Sequence, residues 1–202
     1  ADKVYAELEK LSQHFPPDME YKILYDTTTA VRTSIREVVE TMFITFVLVV
    51  AVTFLFLADW RSTLIPTLAI PVSLIGTFAI LFILGFTINM ITLFALILAI
   101  GVVMDDSIVV VENVQRLMTD DGLDARSATL EAMREITGPV IATTLVLLAV
   151  FVPVAFMPGV TGQLYQQFSV TICVAVVISS IMALTLAPAL TSILFRRGTG
   201  SL

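Results

Sequence analysis

The sequence predicts an all-α membrane protein with five transmembrane helices and a short helix–strand segment ahead of them. Hydrophobic residues make up 57% of the 202 residues and charged residues 14%, whereas soluble domains carry about 25% charged residues. Residues 62–104 and 136–195 contain no Asp, Glu, Lys, Arg or His. Because about 20 apolar residues cross the hydrocarbon core of a bilayer, each of these two stretches is long enough for two crossings.

Residues 1–27 are predicted to lie outside the membrane. Apolar residues recur at helical spacing from Val4 to Phe15, Pro16-Pro17 ends that helix, and Tyr21–Tyr25 has the composition of a short strand. One helix and one strand cannot bury a hydrophobic core of their own. We therefore expect this segment to be the remnant of a larger α/β domain.

The membrane domain is predicted over residues 28–198, with a short tail at 199–202. Asp59-Trp60-Arg61 ends the first crossing with an aromatic residue of the kind found at membrane interfaces. Polar residues after the third crossing predict a surface helix over about 124–136. The five predicted crossings are about 41–58, 64–84, 90–111, 139–156 and 165–195.

The distribution of Lys and Arg between the loops predicts the orientation. The turns at 85–89 and 157–163 carry no Lys or Arg, whereas the opposite side carries Arg61, Arg116, Arg126, Arg134 and Arg196-Arg197. Loops rich in Lys and Arg stay in the cytoplasm. Residues 59–63, 114–136 and 196–202 are thus predicted to be cytoplasmic. Residues 1–40 and the two turns are predicted to face the periplasm of a bacterium.

Two adjacent acids, Asp105 and Asp106, stand inside the third predicted crossing. A charge near the bilayer centre costs about 2.5–3.5 kcal/mol on insertion scales, so both side chains are expected to face a protein interior or a wet cavity. Neighbouring buried carboxylates titrate as one coupled unit. Such a pair can take up a proton from one side of a membrane and release it to the other, as a proton-driven transporter requires.

Other polar residues near the membrane are candidates for supporting roles. Glu112, seven residues after Asp105, shares a helix face with it, and Asn113 shares the adjacent face with Asp106. Four hydroxyl residues lie inside later crossings, where they more often hydrogen-bond between helices than bind ligands. These are Thr143, Thr144, Ser179 and Ser180, of which Thr143 and Thr144 are candidates for a supporting role.

No metal, other cofactor or nucleic acid is expected, and protons would be the coupling ion. His14 has no second ligand nearby, and two adjacent acids on a helix converge poorly on a cation. Cys173 lies in an apolar segment, as a small core hydrophobe does. The sequence shows no basic patch of the kind that binds nucleic acid.

Two other functions for the acids remain open from these residues. The protein could be a cation channel or receptor-like membrane protein that binds ions at the acids, which predicts conductance without a need for protons. It could also be a structural membrane module, in which the acids pair with a basic residue outside this chain and only lock helices together.

Five segments resemble the resistance-nodulation-division (RND) multidrug efflux pumps of the hydrophobe/amphiphile branch, and together they span nearly the whole chain. The run LAIGVVMDDSIVVVENVQRLM at 98–118 is similar to the fourth transmembrane helix of that family. The others are FPPDMEYKILYDTT at 15–28 (end of the first periplasmic porter subdomain), SIREVVETM at 34–42 (second helix), FLADWRSTLIPTLAIPVSLIGTF at 56–78 (cytoplasmic turn into the third) and FVPVAFMPGVTGQLYQQFSVTI at 151–172 (turn between the fifth and sixth).

The resemblance implies a secondary transporter, a drug/proton antiporter, and not an enzyme. This chain would be helices two to six of the first six-helix half, inactive alone, with Asp105 and Asp106 as the proton relay. The parent would be a homotrimer of the bacterial inner membrane that works with a periplasmic adaptor and an outer-membrane channel and exports hydrophobic and amphiphilic compounds. An RND exporter of metal ions or of another substrate is the alternative, although heavy-metal members typically keep only one acid of the pair.

Overall fold

The structure, a computed structural model, describes residues 2–16, 19–23 and 26–195. Residues 196–202, and with them the predicted tail at 199–202, lie outside the described residues. The described part contains six helices and no strand. They are α1 (Asp2–Ser12), α2 (Thr27–Leu57), α3 (Trp60–Ile83), α4 (Met90–Asp120), α5 (Ala125–Ala155) and α6 (Gly159–Leu194). Helices α2 to α6 are each long and apolar enough to cross a membrane, which confirms the predicted all-α class with five crossings.

The chain divides into two compact units, residues 1–37 and 38–202. In the first unit, the carboxylate of Asp26 accepts a hydrogen bond from the Tyr5 hydroxyl. It also accepts from the backbone N–H of Thr28 at 2.8 Å and from the Thr28 hydroxyl at 2.6 Å. These bonds hold the pKa of Asp26 well below its ordinary value. They also supply a partner for a free N–H group in the first turn of α2.

The prediction of a strand at Tyr21–Tyr25 is wrong for residues 21–23, the part of it that the structure describes. Residues 21–23 have no regular secondary structure, and residues 24 and 25 lie outside the described residues. The physical reason is the lack of a partner. A strand is stabilised by hydrogen bonds to a neighbouring strand, and the described part of the chain offers none.

In the second unit, α4 and α6 are the central helices. Helix α4 contacts α3, α5 and α6, and α6 also contacts α3 and α5. One apolar cluster joins Val110, Val111 and Val114 of α4 to Ile65 of α3 and Ala183 of α6. A second cluster joins α4 to α3 deeper along the helices, through Ile70, Ile100, Val103 and Met104, with Met42, Phe46 and Val49 of α2 packed against it.

Side-chain caps set where three of these helices begin. The Asp59 carboxylate accepts from the Ser62 backbone N–H at 3.0 Å at the start of α3. Asn89 and Thr92 form a reciprocal capping box at the start of α4. Asp124 accepts from backbone N–H groups in the first turn of α5. Each cap supplies an acceptor for N–H groups that have no partner inside the helix.

The surface helix predicted over 124–136 is not a separate element. Residues Ala125–Ala155 form one continuous helix that includes Gly138 and Pro139. A proline removes one backbone hydrogen bond, but in membrane helices the surrounding structure satisfies the freed group, and α5 packs along both α4 and α6. Likewise α4 runs to Asp120, past the predicted end of the third crossing at residue 111, because its polar residues continue the helix beyond the apolar band.

Candidate functional site around the paired aspartates

The two aspartates project from α4 in different directions. Adjacent residues on an α-helix point about 100° apart. Asp105 lines a cavity between α2 and α4, whereas Asp106 lies beside Ser179 of α6. The structure therefore gives the paired acids two different surroundings.

Asp106 is half-buried and has one hydroxyl neighbour on α6. The Oγ atom of Ser179 lies 3.3 Å from Oδ2 of Asp106 and 3.0 Å from the carbonyl oxygen of Val103. A hydroxyl has one proton to donate and can also accept. Ser179 can therefore donate to the carboxylate when Asp106 is charged, or to Val103 while it accepts a hydrogen bond from a protonated Asp106.

Asp105 faces a cavity of about 540 Å³ whose walls are mainly apolar. The α2 wall consists of residues between Leu48 and Leu57, and the only polar side chain in it, Thr53, donates to its own helix at the Val49 carbonyl oxygen, 2.9 Å away. On α4 the cavity runs from Gly101 to Gln115. The Asp105 side chain is exposed and borders a wall made mainly of apolar groups.

Glu112 and Asn113 lie two turns further along α4, as their spacing predicts. Glu112 lines the same cavity as Asp105. Asn113 instead joins a network with α5: it accepts from the Arg116 guanidinium at 2.8 and 3.0 Å, and its amide donates to Glu135 at 2.9 Å. Arg116 completes the network with an ion pair to Glu135 at 2.7 Å. Asn113 therefore connects α4 to α5.

The hydrogen bonds of Thr143 and Thr144 do not reach the acids. Both hydroxyls donate to the Val140 carbonyl oxygen of their own helix, at 2.9 and 2.8 Å. The hydroxyl of Thr144 also forms a hydrogen bond with that of Ser180 on α6. These threonines thus belong to the α5–α6 contact.

The sequence alone did not assign Ser179 to the acid pair. It was expected to be a helix-packing hydroxyl, and only the closeness of α4 and α6 brings it to Asp106. The sequence does not predict the contact of Arg116 with Glu135 either, because a separation of 19 residues between two helices gives no periodic signal for it. Neither aspartate has a basic neighbour in this chain at membrane depth, since residues 62–115 and 135–195 contain no Lys, Arg or His.

Comparison with known proteins identifies the family. A family model described as the AcrB/AcrD/AcrF family matches residues 1–201. The chain belongs to the AcrB/AcrD/AcrF family. The sequence-based assignment to the RND efflux pumps is therefore confirmed.

Individual members of the AcrB/AcrD/AcrF family match at close to half of the aligned positions. Multidrug export protein AcrF of Escherichia coli (strain K12) is 48% identical over 196 residues, which cover 97% of this chain and 19% of that protein. The solvent-resistant pump membrane transporter SrpB of Pseudomonas putida is 48% identical over 189 residues, 94% of this chain and 18% of that protein. The toluene efflux pump membrane transporter TtgE, also of Pseudomonas putida, is 48% identical over 187 residues, 93% of this chain and 18% of that protein.

This family member spans about a fifth of the length of the relatives that it matches. AcrF is named as an export protein, and SrpB and TtgE are named as pump membrane transporters. The matched part contains the membrane-spanning helices and the aspartate pair described above.

Proposed function

We propose that the chain is part of a proton-driven transporter, not an enzyme, which exports hydrophobic and amphiphilic compounds and in which Asp105 and Asp106 exchange the driving protons. One observation carries this proposal: α4 holds two adjacent carboxylates at membrane depth, and this chain supplies no basic partner for them there. Charged groups are expensive at that depth, and protonation is the chemical step that removes the charge.

The protonation of Asp106 changes a contact between two central helices. The charged carboxylate accepts from Ser179, and the protonated acid donates instead, which releases the Ser179 proton to the Val103 carbonyl oxygen. This exchange alters the hydrogen bonds between α4 and α6 without a change in chain connectivity. A helix contact with two hydrogen-bond arrangements can link proton binding to a shift between two conformations.

The substrate class is supported by the names of the relatives. SrpB and TtgE are named for solvent resistance and toluene efflux, and AcrF for multidrug export. Toluene and other organic solvents are hydrophobic, so two of these names fit the hydrophobic part of the proposed class. We further propose the orientation given by the loop charges, in a bacterial inner membrane, and a trimeric parent that works with a periplasmic adaptor and an outer-membrane channel.

The test is proton-driven dye efflux by the full-length parent in everted membrane vesicles. Asp105→Asn and Asp106→Asn remove the titrating group with little change in shape. Asp120→Asn is the matched control, because it makes the same change at an exposed residue at the end of the same helix. We expect efflux to be lost in the first two variants and retained in the control, with expression and trimer content unchanged in all three.

Efflux retained in both variants would contradict proton coupling at this pair. Loss of the folded protein in both variants would instead favour a role in locking helices together. Ion current through the wild-type protein without a pH requirement would favour a cation channel.

A further inference from the structure

The cavity that contains Asp105 extends along α4 toward the end of the bundle at which α2 and α4 end. We call this end the basic end, because Arg61, Arg116, Arg126 and Arg134 lie there. The lining residues on α4 run from Gly101 to Gln115, about 21 Å at 1.5 Å per residue. On α2 they reach Leu57, the last residue of that helix. The cavity therefore connects the depth of Asp105 with the basic end.

Asp105 and Glu112 are the two titratable residues among those that line this cavity. They are seven residues apart on one helix face, about 10 Å along the axis. Hydrogen-bonded oxygens are about 2.8 Å apart, so about three water molecules in a row would join the two carboxylates. At about 30 Å³ per water, the cavity of about 540 Å³ has room for such a chain.

Glu112 also borders a second cavity, of about 490 Å³, on the α5 side of α4. The remaining lining residues of this second cavity include Asn113, Arg116 and Glu135. Glu112 is exposed, whereas Arg116 is already paired with Glu135 at 2.7 Å. Glu112 is thus the one residue that lines both cavities. It lies between Asp105 and the basic end.

We propose that Glu112 carries protons between Asp105 and the solvent at the basic end, an inference that rests on the proton coupling proposed above. The acid form of Asp105 gives its proton to the adjacent water and becomes a carboxylate. The water chain delivers a proton to the Glu112 carboxylate, which becomes the acid. Glu112 then releases that proton to solvent and returns to the carboxylate, so that one proton leaves and no other group changes.

The charged groups around Glu112 are compatible with this role. Asp105 lies seven residues before it on the same face, Arg116 lies one turn after it, and Glu135 approaches from α5. The wall that α2 contributes contains no titratable residue. At the end of the cavity, the Gln115 amide donates to the Ser62 hydroxyl, which holds α3 against α4.

The test uses the purified full-length parent in proteoliposomes with an imposed pH gradient and a fluorescent amphiphilic dye. Glu112→Gln removes the proton-carrying group and leaves the ion pair of Arg116 in place. Glu112→Asp keeps a carboxylate. Glu131→Gln is the control, since Glu131 is a partly exposed acid of α5 that pairs with Arg134 and lines neither cavity. Asp105→Asn reports on the proposed function itself.

We expect Glu112→Gln to lower the maximal transport rate about tenfold. Loss of a proton-transfer group usually costs at least about a hundredfold, but the effect should be smaller here because water can carry the proton past residue 112. Its half-saturating dye concentration should not change, and the dependence of its rate on pH at the basic end should flatten. Glu112→Asp should restore most of the rate and the pH profile. A purely structural role would not be rescued in this way, nor would it change the pH profile.

The proposal would be overturned if Glu112→Gln kept the wild-type rate and pH profile while Asp105→Asn abolished transport. The proposed function would stand in that case. Retained transport in Asp105→Asn would overturn the proposed function as well. If Glu112→Gln does not fold, Ile108→Phe decides. Ile108 lines the cavity between Asp105 and Glu112, so the larger side chain narrows the path between the two carboxylates and changes no titratable group. It should slow transport, and a wild-type rate would overturn the proposal.

Discussion

The turn into α6 depends on a glycine at position 162, and Gly162→Ala is a sharp test of the described backbone. A Cβ built on Gly162 would lie 1.9 Å from the carbonyl oxygen of Met157 and 2.6 Å from its carbonyl carbon. Close carbon–oxygen contacts in proteins are about 3.3–3.6 Å, so the two atoms must separate by about 1.5 Å. The obstructing atoms are backbone atoms, and no rotamer change can relieve the clash.

Overpacking of this kind typically costs about 1–3 kcal/mol. A loss of about 2 kcal/mol lowers the ratio of folded to unfolded protein about 30-fold. We expect Gly162→Ala to lower both the yield and the thermal midpoint of the full-length parent in detergent, measured by size-exclusion chromatography after heating.

Gly101→Ala is the matched control, since a Cβ at Gly101 in α4 meets no neighbouring side chain or other helix within 4 Å. Alanine is favoured over glycine inside helices by up to about 1 kcal/mol, so this control should be neutral or slightly stabilising. If Gly162→Ala proved as stable as Gly101→Ala, the close contact between the Met157 backbone and Gly162 would be refuted.

Two further predictions concern polar contacts. Burial raises the pKa of Asp59, but hydrogen bonds from the Ser62 hydroxyl and backbone lower it by more. The pKa of Asp59 is therefore lower in the folded than in the unfolded protein. The stabilisation by this cap is lost as pH falls below about 4. Asp59→Asn keeps the cap and should reduce the loss of thermal stability between pH 6 and pH 3, whereas an unchanged loss would exclude this contribution. The hydrogen bond between Thr144 and Ser180 should give a coupling of about 0.6 kcal/mol in a double-mutant cycle with Thr144→Val and Ser180→Ala. Thr143→Val and Ser180→Ala should show no coupling, since Thr143 bonds only to its own helix, and equal couplings in the two cycles would refute the contact.

The existence of the five crossings follows from composition, and this is why the sequence alone predicted them. Long uncharged stretches have one stable form in a bilayer, because every backbone group must be satisfied inside the segment. Helix ends were harder to predict. Gly138-Pro139 indicated a helix start, yet α5 runs through it, because contacts with α4 and α6 decide whether a weak local break ends a helix.

The acid pair on α4 and the cost of its charge also follow from the sequence, since charge at membrane depth is costly whatever surrounds it. Only the tertiary structure decided that Asp105 faces α2 and a cavity shared with Glu112, whereas Asp106 faces Ser179. The same is true of Asn113, which shares a helix face with Asp106 but binds Arg116 and Glu135. Helical periodicity determines which residues share a face, but the packing of separate helices determines what that face meets.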